Sequence, residues 1–297
     1  MKNELKILSP ATSANLGAGF DTLGLALDFY NETIIKRSSF FKISIKGEGE
    51  DNPYLKKHNL FVNVFNETYA KIANDKDTFS FEFINNIPLS RGLGSSSSII
   101  VGAIASAYYL AGFDINKDAI LNQALIYEPH PDNISPAALG GFVCSLIEDG
   151  MVKYLKTDIS SDVKAVVCIP NQAISTNASR DALPKSLSLA DTSYNIARSS
   201  LTTAAFFSKN YEMLKIAAKD KLHEEKRMSA VPELFSVREL ALKNGALMSN
   251  LSGSGSTFFN LCYKDDAKKL QEILSNAFTQ MKVLSLDFNN QGILLDN

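Results

Sequence analysis

The residues best suited to chemistry form one continuous stretch about a third of the way along the chain. It consists of Pro88, Leu89, Ser90, Arg91, Gly92, Leu93, Gly94, Ser95, Ser96, Ser97 and Ser98. Its glycines let the backbone approach a ligand closely, and its serines add hydroxyl donors and oxygen ligands for a magnesium ion. This composition predicts a binding site for a phosphate group.

The elements on either side of this stretch support that prediction. The alternating residues 79–84 predict a strand before it, and the small and aliphatic residues 99–111 predict a buried helix after it. The first amides of a helix have no partner inside the helix, and the helix dipole favours negative charge beside them. A strand, a glycine-rich loop and a helix in this order therefore predict an anion site.

Two further loops are rich in glycine. Residues 10–24 contain three glycines together with Asn15 and Asp21, and an ordered loop of this length is more often functional than a simple connection. Residues 251–257 carry Gly253 and Gly255 between two predicted strands. Because no helix follows this third loop, we expect its backbone to pack closely against another loop or a substrate.

A stiff polar segment occupies residues 128–133, where two prolines bar continuation of the preceding helix. It concentrates two carboxylates, an imidazole and an amide, and two interpretations stay open. His130 is either a structural histidine or a ligand contact, and Asp132 and Asn133 are either site residues or caps of the next helix. Another histidine, His223, lies in a strongly polar stretch and is predicted to be solvated.

Two arginines lie in polar parts of the second half of the chain. Arg180 ends a short polar run, and Arg227 ends the charge-rich residues 222–227. Charge runs usually form solvated faces, so the residues alone predict a surface position for the second run.

Composition excludes several classes of partner. The net charge of −2, with 45% hydrophobic and 21% charged residues, gives no reason to expect nucleic acid or an anionic membrane as partner. No apolar run is long enough for a signal peptide or a bilayer span. The three cysteines are far apart and include no CxxC pair, which is typical of reduced thiols and of a cytoplasmic protein.

The pattern of loops predicts phosphoryl transfer by exclusion. The sequence contains no zinc constellation, no Ser-His-Asp spacing and no Rossmann GxGxxG, and the phosphate stretch lacks the GK[ST] end of a Walker A loop. Phosphoryl transfer depends on positioning and charge neutralisation more than on a reactive side chain. An ATP-dependent phosphotransferase acting on a small molecule fits these residues best.

Taken together, the loops resemble those of the GHMP kinases, the superfamily of galactokinase, homoserine kinase and mevalonate kinase. Residues 88–97 resemble its phosphate loop, and residues 251–257 resemble its C-terminal glycine loop. The loop of residues 10–24 and the segment 130–137 are most similar to those of homoserine kinases. The resemblance spans nearly the whole chain, and the four motifs in this order are far more specific than any single one.

The resemblance implies an α+β protein with the two-domain GHMP kinase fold. Residues 1–158 would form an ATP-binding domain like the second domain of ribosomal protein S5, and residues 159–297 would form a ferredoxin-like domain, with the active site between them. The implied reaction transfers a phosphoryl group from ATP to L-homoserine, giving ADP and O-phospho-L-homoserine, a step of threonine biosynthesis.

The resemblance also implies how ATP and Mg²⁺ would bind. The stretch from Pro88 to Ser98 would wrap the ATP phosphates, with Ser96 near the magnesium ion and Glu128 as a candidate carboxylate ligand. The chain departs from the superfamily here. Other members have the metal-binding glutamate one helix face earlier, and the residue eleven positions before Asn133 in this chain is Asn122.

The substrate site implied by the resemblance has two charged ends. Asp21, beside Asn15, would pair with the ammonium group of homoserine, and two arginines would hold the carboxylate, which suits their planar fork. The implied substrate-binding residues are Asn15, Asp21, His130, Arg180, Arg227, Gly253 and Gly255.

Asn133 stands where many GHMP kinases have a catalytic aspartate, and homoserine kinases resemble this chain in having asparagine there. An amide does not accept a proton near neutral pH. We therefore expect Asn133 and Asn15 to orient the substrate hydroxyl while its proton passes to a γ-phosphate oxygen or to water.

Two alternatives to homoserine phosphorylation stay open. One is another GHMP kinase, acting on mevalonate or a sugar, and the other is an inactive ligand-binding protein of the same fold. Arg180 and Arg227 disfavour a neutral sugar, which would leave buried guanidinium groups unpaired. The intact phosphate loop disfavours an inactive protein, and the sequence leaves the oligomeric state, including a homodimer, open.

Overall fold

The computed structural model of the protein describes residues 3–73, 77–174 and 176–296. The first half of the chain contains β1 (Glu4–Ala14), β2 (Leu23–Arg37), β3 (Lys42–Gly47), α1 (Pro53–Lys57), α2 (Leu60–Ile72), β4 (Phe79–Asn85), α3 (Ser95–Leu110), α4 (Lys117–Ala124), α5 (Pro131–Leu139), β5 (Phe142–Glu148) and β6 (Met151–Thr157). After β7 (Val163–Ile169) come α6 (Thr176–Asp181), α7 (Leu189–Ser208), a 3-10 turn (Tyr211–Met213), α8 (Leu214–Ala217), α9 (Glu224–Met228), α10 (Glu233–Lys243), β8 (Met248–Leu251), β9 (Phe258–Tyr263), α11 (Lys264–Ala277), β10 (Lys282–Leu286) and β11 (Leu294–Asp296).

Seven strands form the first sheet. β11, β1, β2, β4 and β3 lie side by side, β5 pairs with β2, and β6 pairs with β5. The alternating residues Phe79, Phe81 and Phe83 of β4 are buried in one core with side chains of α2 and α3. The strand predicted from this alternation is confirmed, and it places the loop after β4 at the start of α3.

Four antiparallel strands form the second sheet, in the order β10, β7, β9, β8. Along the chain these strands alternate with α10 and α11 in the βαββαβ order of a ferredoxin-like fold, as predicted. β7 is apolar except for Lys164, because both of its faces are buried. Val163, Ala165 and Val167 belong to one core, and Val166 and Cys168 belong to another.

The end of the chain returns to the first sheet. β11 pairs with β1 through Leu294 and Leu295, which lie opposite Leu8 and Ile7. The second sheet is therefore inserted between β6 and the last strand of the first sheet. The domain boundary between residues 158 and 159 stays a prediction.

The first loop is shorter than the sequence predicts. β1 and β2 extend into it and remain paired, so the irregular residues are 15–22 rather than 10–24. The pairing passes Pro10 because the register shifts between Pro10 and Ala11, and such a bulge tolerates a residue without an amide hydrogen.

The polar segment 128–133 also differs from the turn that its prolines predict. Pro131 is the first residue of α5, where its missing amide hydrogen leaves no helical bond unmade. Asp132 and Asn133 therefore lie in the first turn of a helix. Within the described residues, no helix is long and apolar enough to cross a membrane.

Candidate functional site

A cleft of about 160 Å³ lies where the phosphate stretch, the first loop, the third loop and the start of α5 meet. Most of the predicted site residues line it, together with two that were not predicted. The lining is Asn15, Asp21, Pro88, Ser90, Arg91, Gly92, Leu93, Gly94, Ser95, Ser96, Ser97, Glu128, His130, Asp132, Asn133, Arg180, Arg227, Gly253 and Ser254.

Three predicted residues do not line this cleft. The Ser98 hydroxyl is buried and donates to the carbonyl of Ser9 at 3.0 Å, which fixes α3 against β1. Leu89 lines a neighbouring pocket instead. Gly255 lies behind the phosphate stretch, where a Cβ atom on Gly92 would come within 2.9 Å of the Gly255 nitrogen.

The phosphate stretch has the geometry of an anion site. Gly92 and Gly94 adopt φ values of 76° and 63°, and α3 begins directly afterwards without a side-chain cap. The amides of its first turn therefore have no partner within the helix. The Ser95 hydroxyl is also buried without a hydrogen-bond partner among the described residues, and Ser96 beside it is exposed.

The Arg91 side chain turns away from the anion site. Its Nε donates to the carbonyl of Pro170 at 3.0 Å, and its Nη1 donates to the carbonyl of Leu89 at 2.9 Å. The guanidinium thereby joins the phosphate stretch to the end of β7, so its hydrogen bonds go to the protein backbone.

The third loop packs against the phosphate stretch, as its glycines predict. The Ser252 hydroxyl lies 2.6 Å from the carbonyl oxygen of Gly92 and 2.9 Å from the Ser13 hydroxyl. The Thr257 amide donates to the carbonyl of Arg91 at 2.9 Å. Side chains larger than hydrogen at Gly92 would collide with the Ser252 carbonyl, so glycine is required there.

The start of α5 presents three polar side chains to the cleft. Asn133 Oδ1 accepts a hydrogen bond from the Thr12 hydroxyl at 2.7 Å, which fixes the amide and directs its Nδ2 away from Thr12. His130 Nδ1 lies 3.3 Å from a carboxylate oxygen of Glu128, and its Nε2 lies 3.9 Å from Asp21. The imidazole therefore sits between two carboxylates.

Asp132 lines the cleft, and the sequence had left it open whether this residue belongs to the site or caps a helix. Its side chain is only 4% exposed, and burial raises the pKa of its carboxyl from 3.8 to about 7, helped by the negative charges of Asp21 and Glu128. It makes no ion pair with any residue that the structure describes. The signal that could have identified it is its position between Pro131 and Asn133.

The first loop is held in shape by Asn15. Asn15 and Asp21 adopt positive φ values of 73° and 56°, a conformation that short polar side chains tolerate best. Asn15 Nδ2 donates to the carbonyl of Gly253 at 2.9 Å, and its Oδ1 accepts from the Asp21 amide at 3.1 Å. The side chain thus ties the first loop to the third.

Asp21 and Arg180 bind each other across 159 residues of sequence. Both guanidinium ends take part, at 3.1 Å and 2.7 Å from the two carboxylate oxygens. Sequence reasoning assigned the two groups to opposite ends of a ligand and did not foresee this pair.

Arg227 is a buried cation at the back of the cleft. It is 4% exposed, donates to the carbonyl of Gly253 at 3.1 Å, and has no carboxylate partner within the described part of the chain. Burial, together with the positive charge of Arg180, lowers the pKa of Arg227 to about 10. Both guanidinium groups lie over the Phe20 ring, at 5.4 Å and 5.2 Å from its centre.

His223 contradicts its predicted solvation, because it is only 1% exposed. Its Nε2 lies 2.9 Å from the carbonyl oxygen of Gly17, and its Nδ1 lies 3.3 Å from Arg227 Nη1. The charge-rich run that contains it is likewise not a solvated face, since Glu224 and Arg227 are buried.

A second pocket, of about 80 Å³, adjoins the phosphate stretch through Leu89. It lies between the first sheet and α1 and α2, and most of its exposed lining is apolar. Its lining residues are Ser9, Asn31, Thr33, Ile45, Leu55, His58, Asn59, Leu60, Phe61, Phe83, Asn85, Leu89 and Ile99.

The cleft offers oxygen ligands for a cation but no complete metal site. Ser96 and Glu128 both line it. Within residues 3–73, 77–174 and 176–296, no three or more His, Cys, Asp or Glu side chains are placed so that they could hold a metal ion together. Such a partial set suits Mg²⁺, which binds proteins through one or two carboxylates and takes its other ligands from phosphates and water.

Comparison with known proteins identifies close relatives over almost the whole chain. The family model "GHMP kinases N terminal domain" matches residues 59–141, and "GHMP kinases C terminal" matches residues 202–280. A homoserine kinase from Nitratiruptor sp. is 58% identical over 97% of this chain and 98% of its own length. A homoserine kinase from Campylobacter jejuni is also 58% identical, over 97% and 99% of the two chains.

A solved structure shares the whole fold. The crystal structure of homoserine kinase from Cytophaga hutchinsonii superimposes with a TM-score of 0.90 at 26% identity, and the match covers 100% of this chain and 98% of that one.

Proposed function

The chain belongs to the homoserine kinases, a family of the GHMP kinases, and on that premise we propose that it transfers the γ-phosphoryl group of ATP to the side-chain hydroxyl of L-homoserine. The reaction takes place in the cleft lined by the phosphate stretch, the first loop and α5. The phosphate stretch binds ATP, and the charged residues opposite it bind the amino acid.

One observation carries the choice of substrate. The cleft contains a buried carboxylate, Asp132, and a buried guanidinium, Arg227, and neither is paired with an opposite charge from the described residues. Buried charges without partners are costly, so both groups favour a ligand that carries the complementary charges. An α-amino acid has an ammonium and a carboxylate, whereas a sugar has neither and mevalonate has only the carboxylate.

The sequence assigned the ammonium of homoserine to Asp21 alone, and Asp132 adds a second carboxylate to this site. Asp21 already shares its two oxygens with Arg180. The ammonium therefore lies between Asp21 and Asp132, where two nearby carboxylates stabilise a positive charge. Arg180 contacts the ligand carboxylate from the same side as Arg227, and Phe20 holds the two guanidinium groups in place.

ATP spans the two adjoining pockets. Its phosphates lie on the amides of the first turn of α3 and on the hydroxyls of Ser95 and Ser96, because this end of the helix favours negative charge. Its purine ring occupies the apolar pocket beside Leu89, where Phe61 and Phe83 provide flat apolar surface.

Ser96 and Glu128 would hold a magnesium ion together with the ATP phosphates. When bound, the ion neutralises charge on the phosphates. Glu128 is itself held by His130, whose Nδ1 lies 3.3 Å away.

Asn133 and Asn15 position the substrate hydroxyl. The Asn133 oxygen is occupied by the Thr12 hydroxyl, so its Nδ2 is the atom that can donate to the hydroxyl oxygen of the substrate. An amide that donates a hydrogen bond aims the oxygen but cannot take its proton. The proton therefore passes to a γ-phosphate oxygen or to water, and catalysis comes mainly from placement and charge.

An ADP-release assay across L-homoserine, mevalonate and galactose tests the proposed function. We expect turnover only with L-homoserine. Turnover with mevalonate or galactose instead would assign the chain another substrate. Thermal stabilisation by L-homoserine without any ADP release would indicate a ligand-binding protein.

The kinase is proposed to work in the cytoplasm, because Cys144, Cys168 and Cys262 are all free thiols, as expected in a reducing compartment.

Its assembly as a homodimer is a separate proposal, and sedimentation equilibrium of the purified protein would test it. A mass near 32.5 kDa would show a monomer.

A further inference from the structure

His223 connects the two parts of the cleft that would hold opposite ends of the substrate. It lies one residue before α9, packs its ring against Phe20 at 5.3 Å between ring centres, and touches both Gly17 and Arg227. Gly17 belongs to the first loop, which carries Asn15 and Asp21. The histidine is thus the one described side chain that hydrogen-bonds both to the first loop and to Arg227.

We propose that His223 is a positioning residue for the substrate. It holds the Arg227 guanidinium and the first loop in the relative position that is needed to bind both ends of homoserine. The inference rests on the proposed function and adds to it a residue that does not touch the ligand. His223 acts through Arg227 on one side and through the Gly17 carbonyl on the other.

The partners of the ring determine its tautomer. The Gly17 carbonyl can only accept, so the hydrogen is on Nε2. Arg227 can only donate, so Nδ1 must keep its lone pair and accept. Only the neutral ring with hydrogen on Nε2 satisfies both neighbours. A protonated ring would direct an N–H at the guanidinium and break the bond that orients it.

The charges around His223 agree with a neutral ring. Arg227 faces it from α9, Asp220 faces it from the preceding loop, and Asp21 faces it from the first loop. Burial lowers the pKa of His223, the positive charge of Arg227 lowers it further, and the two aspartates oppose the shift. Asp220 is itself committed to the helix, because its Oδ2 accepts from the amides of Leu222, His223 and Glu224.

Three substitutions separate the two hydrogen bonds from the packing. His223→Asn places an acceptor near the position of Nδ1 and loses the bond to Gly17. His223→Gln places a donor near the position of Nε2 and loses the bond to Arg227. His223→Phe keeps the aromatic contact with Phe20 and loses both bonds. The matched control is Lys226→Gln, an exposed position on the same helix.

Steady-state kinetics with homoserine and ATP varied in turn give the decisive readout. We expect His223→Phe to raise KM for homoserine by about tenfold or more, the usual effect of losing a hydrogen bond to a charged group, with KM for ATP within about twofold. His223→Asn keeps an acceptor for the Arg227 guanidinium, so its KM for homoserine should lie between those of His223→Phe and the wild type. Lys226→Gln should have the same KM values as the wild type. Unchanged KM for homoserine in His223→Phe and His223→Gln would overturn the inference, and so would equal rises in both KM values.

The pH profile provides a readout that a purely structural role would not change. In the wild type, kcat/KM for homoserine should fall in acid in two steps, because Asp132 and the buried ring each gain a proton. The step of the ring should be absent in folded His223→Gln but present in His130→Gln, and the Asp132 step should remain in both variants. An acid limb in His223→Gln that keeps both steps would overturn the inference even if other variants fail to fold. Absence of homoserine turnover in the wild type would instead reject the proposed function and is distinguishable from both results.

Discussion

The two halves of the cleft are built in opposite ways. The phosphate half is one continuous stretch, residues 88–98, which offers backbone amides held in place by close packing against the third loop. The substrate half draws charged side chains from the first loop, α5, α6 and α9, which are far apart in the sequence. The first half therefore depends on backbone shape and the second on the balance of charge.

This contrast matches the two ligands. The ATP phosphates are common to many reactions, and a fixed set of amides suits them because it needs no side-chain rearrangement. An amino acid must be distinguished from other small alcohols, and the groups that do so are the unpaired buried charges of Asp132 and Arg227. Substitutions in the two halves should accordingly change different kinetic constants.

The largest effect is expected from Gly92→Ala. At a φ of 76° the new Cβ atom would collide with the backbone of Ser252 and Gly255, so the phosphate stretch or the third loop must move. A displacement of this kind should lower kcat by at least about 100-fold. The control is Gly112→Ala, where φ is 91° but nothing lies within 4 Å, so that only the backbone cost remains. Equal activity of the two variants would show that the contact between the loops is dispensable.

Arg227→Lys should change binding in the substrate half of the cleft alone. Lysine keeps the positive charge but loses the planar fork, so we expect KM for homoserine to rise about 30-fold or more while KM for ATP changes by less than about threefold. Arg198→Lys is the control, since Arg198 stacks on Tyr194 of α7 and does not line the cleft. A comparable rise in KM for ATP would contradict the division into two halves.

Ser96→Ala should lower turnover more than Asn133→Ala does, because the phosphate half supplies most of the charge stabilisation. We expect about a tenfold or larger fall in kcat for Ser96→Ala and a smaller fall for Asn133→Ala. Ser98→Ala, whose hydroxyl binds the Ser9 carbonyl outside the cleft, is the control. The reverse order would show that the phosphate stretch only clamps ATP, and an unchanged kcat in Asn133→Ala would remove its role in orienting the hydroxyl.

The smallest expected effect concerns stability. Because burial raises the pKa of Asp132 from 3.8 to about 7, the folded protein binds a proton more tightly than the unfolded chain, and this group makes the fold less stable as pH rises through that interval. Asp132→Asn should therefore be more stable than the wild type at neutral pH by several degrees in Tm, with the difference vanishing in acid. Parallel Tm curves across the same interval would contradict a raised pKa.

The phosphate half could be predicted from sequence because its determinants are local. A strand, two glycines and the start of a helix follow one another directly, although α3 begins at Ser95, four residues before the predicted start at residue 99. The alternating phenylalanines of β4 were predictable for the same reason, whereas the ferredoxin-like order of the second sheet was expected only from the resemblance to the GHMP kinases.

The substrate half could be predicted only in part. The pair between Asp21 and Arg180 and the burial of His223 depend on how distant segments meet, which no local pattern encodes. The sequence left the role of Asp132 open between site residue and helix cap, because its unusual charge state comes from burial, and burial at a helix start depends on the surrounding fold.

Recognition of both charges of an amino acid is tested most directly by comparing three alcohols as substrates. L-Homoserine carries both charged groups, 4-hydroxybutyrate lacks the ammonium, and 3-amino-1-propanol lacks the carboxylate. Because each analogue leaves one buried charge unpaired, we predict that kcat/KM falls by at least about 100-fold for each. An analogue phosphorylated within about threefold of L-homoserine would contradict the roles given to Asp132 and Arg227.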